Sequence, residues 1–112
     1  MKEKSMKEMQ REVDEYIGQF REGYFGPLSM LARMTEEVGE LAREGNHLFG
    51  EKPKKPDEEA SSLEMELGDL LFIIICFANS QGIDLEEAFN KVMDKYATRD
   101  RNRRPLKKRE RI

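Results

Sequence analysis

The chain has 112 residues, a net charge of −3, and equal shares of hydrophobic and charged residues at 38% each. That length suits one domain with a modest core, and small cores commonly lean on a metal, disulfides or a second copy. The single cysteine, Cys76, excludes a disulfide within the chain and suits a reducing compartment, the cytoplasm; the longest apolar run, residues 70–78, is far below the roughly 20 residues of a membrane-spanning helix.

The opening MKEKSMKEMQ alternates charge and has no apolar core, so it reads as no secretory signal. Apolar residues at Met6, Met9, Val13, Tyr16, Ile17 and Phe20 repeat at three and four, which predicts an amphipathic helix over 3–21 with the methionines on its core or subunit-contact side. EGYFGP closes it, and Pro27 suits the first turn of the next helix, where its missing N–H would have no intrahelical partner. That second helix, about 28–48, carries Leu28, Leu31, Met34, Val38, Leu41 and Leu48 on one side. GEKPKKPD at 50–57 is a loop. A third helix starts between Asp57 and Ser62, with Ser61 and Glu64 as a capping box, and runs to about Ala78 with Leu63, Leu67, Leu70, Ile74 and Phe77 in one stripe. Asp84 and Glu87 open a fourth helix from Leu85 to Tyr96 or Arg99. Beyond Leu70 the third helix is apolar on all sides and must be buried on all sides, which four short helices of one chain do not achieve. The fold class is therefore all-α, a four-helix bundle completed by oligomerisation.

Charge divides the chain into a helical domain over 1–99 and a basic, flexible tail over 100–112. From Arg99 to Ile112 the net charge is +6, leaving −9 on residues 1–98. Such an end is either a solvated terminus or a contact for nucleic acid or phosphate.

TEEVGELA at 35–42 raises the question of chemistry. Acid triplets at helical spacing arise by chance in so acidic a sequence, so position on the helix weighs more than the pattern. At about 100° per residue, with Glu37 at zero, Met34, Val38, Leu41 and Leu48 fall between about 20° and 100°, Glu40 at about −60° and Glu36 at about −100°. Glu37 and Glu40 thus edge the apolar stripe, and Glu36 points away. With Glu66 at zero the third helix repeats the pattern, Asp69 falling at about −60°. Ile73 and Cys76 lie on the same face, so the carboxylates run into apolar surface, where an unpaired charge costs several kcal/mol. Antiparallel packing of the two helices would bring Glu37, Glu40, Glu66 and Asp69 together. Two readings stay open: a divalent cation held by oxygen donors, Mg²⁺ before Mn²⁺, or a bundle surface laced with ion pairs. One histidine and one cysteine argue against zinc, and EGNH at 44–47 is the sole Glu-x-x-His, too few for a di-iron bundle. His47 reads as a surface residue at a frayed helix end. On the fourth helix Lys91, Lys95 and Arg99, spaced by four, suit a polyphosphate or a solvated edge. Tyr24 and Phe25 are either a base-stacking pair or a staple on the core.

With EEVGE at 36–40, ELGD at 66–69, a spacer of 25 residues, LLFIIICFA after it and KYATR at 95–99, the chain resembles the MazG-like nucleoside triphosphate pyrophosphohydrolases over about residues 10–99. The resemblance implies a magnesium-dependent enzyme that cleaves a nucleotide between its α- and β-phosphates to the monophosphate and diphosphate. It implies Glu37, Glu40, Glu66 and Asp69 as metal ligands, Lys95 and Arg99, with Lys91, as phosphate contacts, and Glu36 as the acceptor of the water's proton. It also implies a homodimer or a homotetramer of paired dimers, with sites between helices of different chains. The alternative of a different class is an idle helical oligomer whose basic end, 99–112, binds nucleic acid or a protein partner.

Overall fold

A computed structural model describes residues 3–50 and 62–107, and these form four α-helices: α1 Met6–Gly18, α2 Pro27–Phe49, α3 Leu63–Ser80 and α4 Leu85–Arg101. Among the described residues there is no strand, and no helix is long and apolar enough to cross a membrane. The loop expected over 50–57 lies, beyond Gly50, outside the described residues, as do Ser61 and the last residues of the basic tail.

Each start has a local cause. Ser5 Oγ accepts from the Glu8 N–H and Glu8 Oε1 accepts from the Ser5 N–H, both at 3.1 Å, a reciprocal capping box on α1. Pro27 stands in the first turn of α2 behind Gly26. The cap of α3 is Ser62, whose Oγ accepts from the Met65 N–H at 3.1 Å, rather than Ser61. Asp84 Oδ1 accepts from the Glu87 N–H at 3.1 Å to open α4. Two turns demand glycine: Gly23 (φ 63°) between α1 and α2, and Gly82 (φ 67°) between α3 and α4.

Met30 near the start of α2 packs on Ile73 and Cys76 of α3, while Glu37 and Glu40 further along α2 approach Glu66 near the start of α3, so the two helices run antiparallel. Val13 and Ile17 of α1, Tyr24, Met34, Leu70 and Phe77 close around this centre. Tyr16 sets its ring edge-on to Phe20 and Phe72, at 5.3 and 6.4 Å between centroids. Met6 and Met9 are partly buried.

The packing seam is turned from the stripes expected of the sequence. On α2 the buried residues are Met30 and Glu37, whereas Leu28, Leu31, Val38 and Leu48 are exposed; on α3 Leu67 faces out and Glu66, Ile73 and Cys76 face in. The reason is that α3 packs along one flank of α2, so among the described residues part of each wide apolar face meets no other element. His47 also differs from its surface reading: α2 continues to Phe49, so His47 lies within the last turn and is partly buried.

Polar contacts tie the far ends of the chain together. Gln10 Nε2 donates to Asn79 Oδ1 and to the Ile83 carbonyl, Asn79 Nδ2 donates to the Gln10 carbonyl, and the Leu85 N–H donates to Gln10 Oε1, all at 2.9 Å. Asn79 Nδ2 also donates to Tyr24 Oη at 3.0 Å, and Tyr24 Oη donates to Asp14 Oδ1 at 2.7 Å.

Candidate active site

Between α2, α3 and the turn at 23–26 lies a cavity of about 650 Å³. One wall is apolar and aromatic, with Ile17, Tyr24, Phe25, Met30, Phe72 and Ile73; the other carries Glu36, Glu37, Glu40, Asp69, Arg33 and Ser29. A pocket joining an apolar wall to convergent polar groups is the usual form of a small-molecule site.

The acidic wall follows from the two helix faces. Glu37, one turn beyond Arg33, is buried, and so is Glu66 opposite it. Glu37, Glu40 and Glu66 each offer an oxygen within 4.8 Å of the others. Three negative groups so close repel one another: the charge of Glu37, then burial, then the charge of Glu66 hold the Glu40 carboxyl above its ordinary pKa. Glu37 Oε1 accepts from Arg33 Nε at 3.0 Å, while its Oε2 is buried without a hydrogen-bond partner. A divalent cation fits these residues: all donors are oxygens, the oxygens converge, and a buried carboxylate oxygen is left without a donor.

Of the four expected ligands, three meet. Asp69 lines the same cavity one turn along α3 but stands outside the oxygen cluster. Glu36 is exposed, and it also lines the cavity, which corrects the direction read from its helix angle. The cavity opens on the flank of α2 from about −40° to −100°, where Arg33, Glu40, Ser29 and Glu36 follow one another, and not over the apolar stripe. Measuring from the stripe made Glu36 look outward when it faces the opening. The same angles place Arg33 between Glu37 and Glu40, a signal present in the spacing RMTEE that a pattern of acids alone does not carry.

Tyr24 and Phe25 both line the cavity, Phe25 with most of its ring exposed. Burial, then the hydrogen bond to Asp14, push the Tyr24 phenol up to about 12, so it remains a neutral donor. Burial likewise pushes the thiol of Cys76, which also lines the cavity, up, leaving it protonated rather than nucleophilic. Lys91, Lys95 and Arg99 are not brought to this cavity. Lys91 pairs with Glu87 at 3.2 Å, Lys95 and Arg99 lie over the Tyr96 ring at 5.0 and 4.5 Å, and Arg99 Nε reaches Asp100 at 3.0 Å, all on the exposed face of α4.

Residues 25–104, which hold the whole of this acidic wall, match the MazG nucleotide pyrophosphohydrolase domain. The chain belongs to that family. It is a hydrolase acting on nucleotides, as the resemblance of EEVGE and ELGD implied. Among curated proteins it is 61% identical over 103 residues to the uncharacterized protein YpjD of Bacillus subtilis, covering 92% of this chain and 93% of that one. The crystal structure of YpjD superposes with a TM-score of 0.76 at 61% identity, over 86% of this chain and 98% of that one. The crystal structure of a Bacillus-conserved MazG protein, a nucleotide pyrophosphohydrolase, gives the same TM-score of 0.76 at 60% identity, over 92% of this chain and all of that one.

Proposed function

We propose that this MazG member is a divalent-metal-dependent nucleoside triphosphate pyrophosphohydrolase, converting an NTP or dNTP and water to the monophosphate and diphosphate. The observation that carries the reading is the meeting, in one cavity, of the Glu37, Glu40 and Glu66 oxygens with an aromatic and apolar wall. Glu37, Glu40 and Glu66, with Asp69 alongside, hold the cation, Mg²⁺ before Mn²⁺ because every donor is a carboxylate oxygen. The cation supplies Lewis acidity and charge neutralisation to the phosphoanhydride.

The chain's own groups do the rest. The Tyr24 and Phe25 rings, with Ile17 and Phe72, receive the base; Phe25 is free to stack, and Tyr24 is fixed by Asp14 and Asn79. Water attacks the α-phosphorus in line, the new P–O bond forming as the bond to the α,β-bridging oxygen breaks and the electron pair leaves with diphosphate. Glu36, exposed at the cavity and outside the oxygen cluster, accepts the water's proton. Lys91, Lys95 and Arg99 serve phosphate only if α4 of a second copy delivers them, in keeping with a homodimer or a dimer of dimers. The site so described suits a cytoplasmic enzyme drawing on the nucleotide pool.

The test is incubation with each NTP and dNTP plus Mg²⁺, following diphosphate. Release by the wild type and none by Glu37→Gln is the expected result. No release from any nucleotide, with Glu37→Gln matching wild type throughout, defeats the reading. The idle-oligomer alternative has the exposed basic end of α4 in its support; removal of residues 100–112 should then abolish a salt-dependent nucleic-acid affinity.

A further inference from the structure

The cavity's charge balance singles out a residue that neither the acidic motif nor the basic row on α4 contains. Among the described residues lining the cavity, Arg33 is the one cation, set against Glu36, Glu37, Glu40 and Asp69. With Glu66 of the oxygen cluster, a polyphosphate entering there meets five carboxylates, and a single divalent ion offsets less than half of their charge. A further cation on the wall is needed, and the row at Lys91, Lys95 and Arg99 lies elsewhere on the same chain.

Arg33 is built for the task. Its Nε–H holds Glu37 Oε1 at 3.0 Å, which sets the plane of the guanidinium on a buried carboxylate. A guanidinium carries five N–H donors, and the four on its terminal nitrogens have no other hydrogen bond or ion pair with the described residues. The side chain is 59% exposed although its partner is only 6% exposed, so the fork stands in the cavity and is anchored at its base. An ordinary surface pair at i, i+4 spans two solvated heads and contributes little. Here one partner is buried beneath the site, and the other presents a planar pair of donors matched to two phosphate oxygens.

We propose that Arg33 is a phosphate-binding residue of this cavity, gripping the departing diphosphate with its terminal nitrogens while its Nε–H holds Glu37. This rests on the nucleotide-hydrolase reading above for the substrate, although the grip itself is a binding property. It also links the two halves of the site: Arg33 bonds one oxygen of Glu37, and the other, buried without a hydrogen-bond partner, would be available to a cation.

Calorimetry on the full chain with inorganic pyrophosphate at saturating Mg²⁺, for wild type, Arg33→Gln and Arg33→Lys, tests it. Arg33→Gln should weaken pyrophosphate binding by about tenfold or more, the scale of a charge-assisted bidentate contact, and Arg33→Lys, which keeps the charge and loses the fork, by less. Mn²⁺ affinity without pyrophosphate, read by paramagnetic relaxation, should stay within about threefold, and KM should rise more than kcat falls. Unchanged pyrophosphate affinity in Arg33→Gln overturns the proposal. So does an equal loss of Mn²⁺ affinity, since Arg33 would then only orient Glu37, and so does a wild type that binds no pyrophosphate. Arg33→Lys decides the same point if Arg33→Gln does not fold. A wild type that binds pyrophosphate through Arg33 yet hydrolyses no nucleotide leaves this proposal standing and removes the hydrolase reading alone.

Discussion

At the scale of single residues, the three glutamates of EEVGE are not equivalent. Glu37 is buried with one oxygen given to Arg33 and the other without a donor, Glu40 is exposed yet crowded by two negative neighbours, and Glu36 lines the cavity apart from the oxygen cluster. Glu37→Gln is therefore expected to lower Mn²⁺ affinity by about tenfold or more, as loss of a charged ligand does, while Glu36→Gln leaves that affinity nearly intact and lowers kcat. Equal losses of metal affinity in the two variants contradict the distinction. The spacing of acids and apolar residues made Glu37, Glu40 and Glu66 legible, because a carboxylate on the edge of a packed face must have a partner. Arg33 and the inward position of Glu36 were not legible, because a helical angle needs an origin, and the origin is set by where α3 packs on α2.

At the scale of elements, the helices were readable from periodicity, and of the caps Asp84 was read at its residue, Ser62 stands one position beyond the expected Ser61, and Ser5 had no expectation. Glycine and proline mark the turns, and Ser5, Ser62 and Asp84 mark three of the starts. The cap on α4 predicts a pH response. The Glu87 N–H, and then the Lys7 charge, hold the Asp84 carboxyl below its ordinary pKa of 3.8 in the folded chain. The folded state thus binds its proton less readily than the unfolded state, so the cap's contribution is present above the ordinary Asp value and lost as pH falls through the folded value. The melting temperature should drop over that acidic window, and Asp84→Asn, which keeps a capping oxygen without the charge, should flatten part of the drop. An identical profile in the two proteins counts against the cap as its source.

At the scale of the whole molecule, the described residues leave several large apolar side chains exposed. Leu28 is 82% exposed and Phe89 63% exposed, and the radius of gyration is 18.5 Å, against about 13 Å for a compact chain of this length. Light scattering should accordingly give a dimer or larger at micromolar concentration, and Phe89→Lys together with Val92→Lys should shift the mass toward the monomer. A wild-type monomer throughout that range contradicts the assembly. The sequence pointed to a second copy through the all-round apolar second half of α3, but the chain itself buries Ile73, Ile75, Cys76 and Ala78 there, and leaves Leu28 and Leu48 of α2 and Phe89 of α4 exposed instead; patterning states that a face is covered and not what covers it.

The Gln10 cluster gives the molecule a built-in reporter. Leu85 donates its amide to a side chain 75 positions earlier, so that amide can exchange with solvent deuterium only when the two ends of the chain part. Its exchange rate measures the opening of α1 from the α3–α4 turn, separately from the fraying of either helix. Gln10→Ala, removing a partner worth about 1–3 kcal/mol, should speed that one amide far more than the amides in the middle of α3. Because Asn79 also holds Tyr24, which lines the cavity, the same measurement made with and without a nucleotide would show whether filling the cavity is felt at the α3–α4 turn.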